Sequence, residues 1–299
     1  MVGSALAEEL RRAGATVCAI GRDATADVRW NPGTGELPAR AFAGATAVVH
    51  LAGATIAQRW TDAHKRAVRE SRVQGTALVA RTIASLPAAD RPRVLVSASA
   101  VGYYGSRGDE WLEEPSRAGT DFLASVCVAW EEAVQPAREA GVRVVCLRQG
   151  IVLNPSGGVL ARLLPVFRLG AGGRVGDGRQ WMSWIGQHDL LRVIRYCIDT
   201  DACAGPLNAV APNPVTNAEF TQAMGRVLRR PTLATVPAFV IKTVFGEMGA
   251  GTLLASQRVR PAGLTRAGFA FDAPKLDDAL RRELRARASN VATGPAGPS

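Results

Sequence analysis

At 299 residues and 47% apolar content, the chain can bury one large core, or one large and one small, which excludes wholesale disorder. Its net charge of +10 is scattered among arginines that mostly sit near Glu or Asp, and the densest run, Arg281 to Arg287, reads as a helix end before a tail, so no nucleic-acid partner is expected. Acids near the N-terminus, no apolar run approaching ~20 residues and five dispersed cysteines without a C-x-x-C pair predict a cytoplasmic protein with buried, reduced thiols and no membrane partner.

In chain order, Leu6, Leu10 and Ala13 mark a first helix that ends at Gly14. Apolar runs at 15–20, 45–51, 93–97 and 142–147 lack alternation, as strands covered on both faces by helices do. Between the second and third, Val68, Ser71, Gly75, Leu78, Val79, Thr82, Ile83 and Leu86 recur at helical spacing and stop at Pro87. A second crossover helix over 122–138 is capped by Gly141. This alternation predicts an α/β fold with a doubly wound, Rossmann-like parallel sheet. Glycine-rich, irregular sequence from about 155 to 235 reads as a small substrate lobe of a domain spanning 1–235. Over 236–287 a small helical domain is expected: one helix from Pro237 to about 259, and a last one opened by Asp272 and Pro274. The tail 288–299 is small and polar, and disorder is expected there.

A doubly wound dinucleotide fold begins with a central strand and a glycine turn whose N–H groups and following helix hold pyrophosphate. Here the first helix starts at residue 1, and only Gly3 fits such a turn. Met1-Val2-Gly3 reads as the tail of G-x-x-G-x-x-G, with the second glycine falling one position before Met1. The expectation is a start placed too late, with the central first strand missing; the alternative is an ordinary capped helix opening the protein.

The segments His50-Leu-Ala-Gly-Ala, Ser97-Ala-Ser-Ala-Val-Gly-Tyr-Tyr-Gly105, Trp130-Glu131, Leu147-Arg-Gln-Gly-Ile-Val-Leu and Gly178-Arg-Gln-Trp-Met-Ser-Trp-Ile185 come in a specific order and spacing. Gly246-Glu-Met, Ser256-Gln-Arg-Val-Arg-Pro and Gly268-Phe-Ala-Phe follow them. Together they resemble the atypical extended short-chain dehydrogenase/reductases of the NAD-dependent epimerase/dehydratase type, which carry a small C-terminal domain of unknown role. The resemblance implies a nicotinamide cofactor, NADP preferred and NAD the alternative, a small-molecule substrate, and room for a homodimer. Arg22, after the 15–20 run, stands where a base meets a 2′-phosphate and an acid would meet a ribose hydroxyl; it is equally readable as a surface arginine. Gly3, Leu51, Ala52, Gly53 and Ser97 complete the implied cofactor site. Ser99 resembles the family serine that bonds a substrate oxygen, and Tyr103 and Tyr104, in a glycine-bounded loop, are expected near the pocket and outside the core. Arg179 and Trp181 combine an anion-binding fork with flat apolar area, suited to a phosphorylated or aromatic substrate; a hairpin with packed tryptophans is the other reading.

One departure bears on the chemistry. The superfamily's Tyr-x-x-x-Lys pair, in which lysine lowers the tyrosine pKa, is absent: aligned on Glu131, its positions hold Leu123 and Cys127. An NADP-dependent oxidoreductase or epimerase-like enzyme is the leading expectation, and a non-catalytic NADP-binding or sensing protein the alternative.

Overall fold

A computed structural model describes residues 2–292, with side chains described for 2–286. The chain opens with α1 (Val2–Arg12), β1 (Ile20–Gly21), β2 (Val28–Arg29), β3 (Ala47–His50) and α2 (Asp62–Ala84). It continues with β4 (Val94–Ala100), β5 (Trp111–Leu112), α3 (Phe122–Glu132), α4 (Gln135–Glu139) and β6 (Arg143–Gln149). The lobe follows: β7 (Ile151–Leu153), α5 (Gly158–Arg168), β8 (Gly173–Val175), β9 (Trp181–Met182) and β10 (Trp184–Gly186). Then come α6 (Gln187–Asp199), β11 (Gly205–Ala209), β12 (Val215–Thr216), α7 (Asn217–Leu228) and β13 (Ala234–Val236). The last segment holds α8 (Ala238–Thr252), β14 (Arg258–Val259), α9 (Ala262–Arg266) and α10 (Leu276–Ala292).

The main sheet has four parallel strands in the order β11-β6-β4-β3. Because successive side chains alternate across a strand, β4 and β6 each serve two cores. Val94, Val96, Val145 and Leu147 pack with Leu6 of α1 and Leu190, Val193 and Ile194 of α6. Leu95, Val144 and Cys146 point the other way, against Leu78, Val79 and Ile83 of α2 and Val134 and Ala137 beside and within α4. Helices thus cover both faces of a parallel sheet, which is the doubly wound arrangement.

At β3 the sheet stops. The expected strand at 15–20 forms a ladder only at Ile20–Gly21, paired with Val28–Arg29 in a separate two-stranded sheet. Residues 15–19 and β3 line one cleft, and among the described residues no strand lies between them to complete a ladder across it. This open edge also corrects the reading of Cys18, which is exposed while the other four cysteines are buried.

Elsewhere the structure shortens or splits what the pattern ran together. The 122–138 helix breaks into α3 and α4, with Pro136 at the start of α4, where its missing N–H costs nothing. Gly141 has φ 84°, the left-handed geometry expected of a cap. The helix from Pro237 ends at Thr252, and 258–259 is strand because it pairs with Trp111–Leu112. Residues 288–292, expected to be disordered, continue α10; 293–299 and Met1 lie outside the described residues. Among the described residues no helix is long and apolar enough to cross a membrane.

The C-terminal segment is latched to the sheet domain at Asp189. This buried carboxylate does not cap α6, as its position suggests. It accepts from the backbone N–H groups of Asp272 (3.0 Å) and Ala273 (3.0 Å) and pairs with Arg192 at 2.9 Å. Asp272 in turn is shared by Arg192, Arg282 and His188, so the cluster is an ion-pair latch with its lone pairs already used.

Candidate functional site

A cavity of about 1990 Å³ joins the slot between residues 15–19 and β3 to a crevice along the sheet's C-terminal edge. One end is framed by α1 and by 51–54 after β3; the other is framed by α5, β9 and α8. Such a crevice outside the carboxyl ends of parallel strands is where doubly wound folds bind ligands.

At the first end, Val2, Gly3 and Ser4 of α1 line the cleft, and a methyl on Gly3 would lie 3.9 Å from Leu51 Cδ1. α1 has no acid in its first turn and Arg11 and Arg12 in its last, so its positive N-terminal dipole is uncompensated where it faces the cleft. Leu51, Ala52 and Gly53 are on the wall. Arg22 is exposed immediately after β1, next to cleft-lining Gly21 and Asp23, without lining the cleft itself. Ser97 is buried one pleat deeper in β4, below Ser99, and is not on the wall.

Sequence reasoning missed Arg72. From α2 its guanidinium donates to the carbonyls of Ala54 (3.0 Å) and Val68 (3.1 Å) and sits 5.0 Å from the Trp130 ring centroid. A methyl on Gly53 would meet it at 3.3 Å. Burial pushes the Arg72 pKa down, the mark of a cation held out of water. The signal was available: of the two cations between Val68 and Gly75, Arg69 is exposed and Arg72 falls on the helix face that packs inward.

His50 ends β3 buried, with its ring edge-on to Trp30 and Nε2 without a hydrogen-bond partner. Burial lowers its pKa to about 4. The unfolded chain therefore binds a proton near pH 6.5 that the folded chain refuses until about pH 4, and stability falls as pH drops through that window. The lowered pKa predicts a loss of about 3 kcal/mol. Denaturation midpoints between pH 7 and 4 should show this slope, and His50→Leu should flatten it.

The middle of the cleft holds Ser99. Its hydroxyl donates to Glu131 Oε1 at 2.6 Å. The same carboxylate receives two bonds from Arg148, Nε to Oε1 and one terminal nitrogen to Oε2, both 2.8 Å. Arg148 is buried; desolvation opposes its charge, but the bonds and charge of Glu131 outweigh that and raise its pKa. Its other terminal nitrogen donates to Tyr104 Oη (3.0 Å) and to the Glu114 carbonyl (2.9 Å).

This network relocates both tyrosines. Tyr104 was expected outside the core and is fully buried. The tight turn over Val101–Tyr104 drives its ring inward, where the phenol donates to Asn208 Oδ1 at 2.6 Å. Burial pushes its pKa up to about 12. Tyr103 is half-buried behind the sheet edge, its ring 3.5 Å from the Arg148 guanidinium carbon. Neither lines the main cleft. The wall opposite Ser99 is instead Gly102 with Leu123 and Cys127, whose β-carbon and Sγ would lie 3.4 and 3.8 Å from a methyl on Gly102. Burial, and then the negative Glu131, pushes the Cys127 thiol up to about 12, leaving it neutral and inert.

Toward the lobe, Gly150 carries the chain from β6 past Ser183; a methyl there would sit 2.5 Å from the Ser183 carbonyl oxygen. Ser183 donates to the Gln257 carbonyl (2.7 Å) and accepts from Val259 N–H (2.9 Å). Trp181 lines the cleft, with its indole N–H on Asp109. Arg179 does not line it: the residue is exposed, on a turn fixed by Asp177. Trp184, also in this run, is core.

Two family models cover this architecture. Residues 1–208 match the NAD dependent epimerase/dehydratase family, and residues 236–283 match a domain of unknown function, DUF1731. The chain belongs to the NAD dependent epimerase/dehydratase family. It is 44% identical over 284 residues to the epimerase family protein Mb2239 of Mycobacterium bovis, covering 94% of this chain and 93% of that one. Among solved structures it is similar to the human epimerase family protein SDR39U1 (isoform 2) with NADPH, at 32% identity and TM-score 0.87 over 95% of this chain and 96% of that chain. It is also similar to a nucleoside-diphosphate sugar epimerase from Corynebacterium glutamicum (35%, TM-score 0.78), matching all of this chain and 60% of that one. More distant neighbours such as MoeE5, at 20% identity and TM-score 0.76, share the fold.

Proposed function

We propose that this chain is an NADP-dependent oxidoreductase of epimerase-like type acting on a small molecule, with Ser99 as the group that meets the substrate's reacting oxygen. The observation that carries the reading is the Ser99 hydroxyl on the cleft wall, bonded to a carboxylate that Arg148 fixes in place.

The cofactor end suits a dinucleotide. The α1 N-terminus with Gly3 would face pyrophosphate, Leu51, Ala52 and Gly53 allow close approach of adenosine, and Arg72 adds a desolvated cation. Arg22 lies beside the cleft after β1, next to cleft-lining Asp23; a base reaching in from there would meet a 2′-phosphate and favour NADP over NAD, and the NADPH of the human relative supports the same choice. When bound, the nicotinamide supplies or accepts hydride. Ser99 handles the proton: its Oγ takes the proton of a substrate hydroxyl while its own passes to Glu131 Oε1; in reduction Glu131 first takes a proton from solvent and returns it to Ser99 as the Ser99 proton goes to the substrate carbonyl oxygen. Tyr104 and Tyr103 act through Arg148, as positioning residues. The missing Tyr-x-x-x-Lys pair is thereby replaced by a Ser99–Glu131 relay.

A second reading, an NADP-binding or sensing protein without turnover, is favoured by Leu123 and Cys127 lying on the cleft where the pair would stand. The discriminating test is NADPH-linked turnover that falls steeply on Ser99→Ala while nucleotide binding survives.

A further inference from the structure

The C-terminal domain of unknown function reaches into the cleft. α8 starts on the lobe after β13, kinks at Gly246 (φ 58°, ψ −140°), and ends against the sheet domain. There Glu247 pairs with Lys65 of α2, and a methyl on Gly251 would lie 3.2 Å from the Trp60 ring. The helix therefore bridges the two sides, and Phe245, Met248 and Thr252 line the cavity beneath it.

The strand that follows is stitched down. Gln180 Nε2 donates to the Leu253 carbonyl (3.1 Å), Trp181 N–H to Ser256 Oγ (3.0 Å) and Gln257 N–H to the Trp181 carbonyl (3.0 Å). Arg258 is clamped between Trp111 and Trp181, 4.0 Å from each ring centroid. These contacts fix Gln257 on the wall beside Ser183, across from the β6 edge.

The chemistry of this end is uneven. Phe167, Met182, Phe220, Phe245 and Met248 supply apolar surface, whereas Arg162 is the one charged side chain on this part of the wall among the described residues. It already donates to the Ala57 carbonyl at 3.3 Å. Arg179, the expected anion fork, is turned outside. A nucleoside diphosphate needs its phosphate charges matched by several donors or cations before burial is tolerable; a flat uncharged carbonyl compound needs apolar area and a few polar contacts.

We infer that the 236–283 domain is the substrate wall of this cleft, and that α8 with Gln257 selects an uncharged, flat, largely apolar carbonyl substrate instead of a nucleotide sugar. The inference rests on the oxidoreductase reading of the same cleft. Gln257 gives the substrate a polar contact at the far side from Ser99, and Met248 and Phe245 cover its apolar body.

The test uses the whole chain, with 9,10-phenanthrenequinone and UDP-glucose as probes, titrated by tryptophan fluorescence and calorimetry with and without NADPH. Quinone binding is expected, weakened tenfold or more by Met248→Trp and by Thr252→Trp, changed less than twofold by Arg162→Ala, with no UDP-glucose binding. Circular dichroism and melting show whether each tryptophan variant is folded, and two positions guard against loss of one. Absence of quinone binding, quinone binding indifferent to both fillings, or UDP-glucose binding that depends on Arg162 would each overturn the inference. Failure of NADPH to bind while the quinone still binds would instead sink the oxidoreductase reading and leave the wall standing.

Discussion

Ser99→Ala is expected to lower kcat of the NADPH-linked reaction by about 10²- to 10³-fold, the usual worth of one positioned proton-transfer group, with the NADPH Kd unchanged. The substitution is gentle to the fold. Glu131 Oε1 loses the Ser99 proton but keeps its bond from Arg148 Nε, so no buried charge is left alone. The loss should therefore appear in kcat with the melting temperature nearly constant. Ser99→Thr, which keeps a hydroxyl, should recover part of the rate. A turnover rate untouched by Ser99→Ala would remove the relay from the mechanism.

Glu131→Ala should act on stability as well as rate. It leaves the Arg148 guanidinium, 3% exposed, without its counter-ion, and breaking one partner out of a buried pair costs about 3–5 kcal/mol. The bonds to Tyr104 and the Glu114 carbonyl remain, but neither neutralises the charge. The double variant Glu131→Ala/Arg148→Met should recover part of the loss: it removes the unpaired buried charge, while the Ser99 hydroxyl and the Glu114 carbonyl still lose their partners. Equilibrium urea unfolding of the two single variants and the double variant separates the terms. A Glu131→Ala protein as stable as the parent would mean that the pair is only a surface contact.

How much of this was legible follows from which signals are local. β3, β4 and β6 could be read because strands sandwiched between helices are continuous apolar runs. β11, Gly-Pro-Leu-Asn-Ala, could not: it lies at the sheet's edge, where Pro206 and Asn208 are tolerated. The 15–20 run has strand composition, yet forms a ladder at one end only, since a strand needs a neighbour that sequence composition cannot guarantee. Within the site, 51–54 and Ser99 were legible as strand ends. Glu131 and Arg148 were each visible in the sequence, but their pairing brings α3 onto β6, and no local pattern announces it. The tyrosines were placed one layer too far out because a glycine-bounded turn says nothing about which way its ring is driven. Gln257 was hidden for a similar reason: its place on the wall depends on hydrogen bonds to Trp181 and Ser183, more than seventy residues away.

The central claim is that the cleft end built from α1, 51–54 and Arg72, with Arg22 beside it, holds NADPH. Fluorescence titration with NADPH and NADH tests it most directly, on this chain and on a version with an apolar strand of about six residues and a Gly-x-x-Gly turn fused ahead of Met1, to fill the space between 15–19 and β3. Tighter binding by the strand-bearing version, with NADPH preferred and the preference abolished by Arg22→Asp, is the predicted result. Equal failure of both proteins with both nucleotides would contradict the account and mean that this fold holds something other than a dinucleotide.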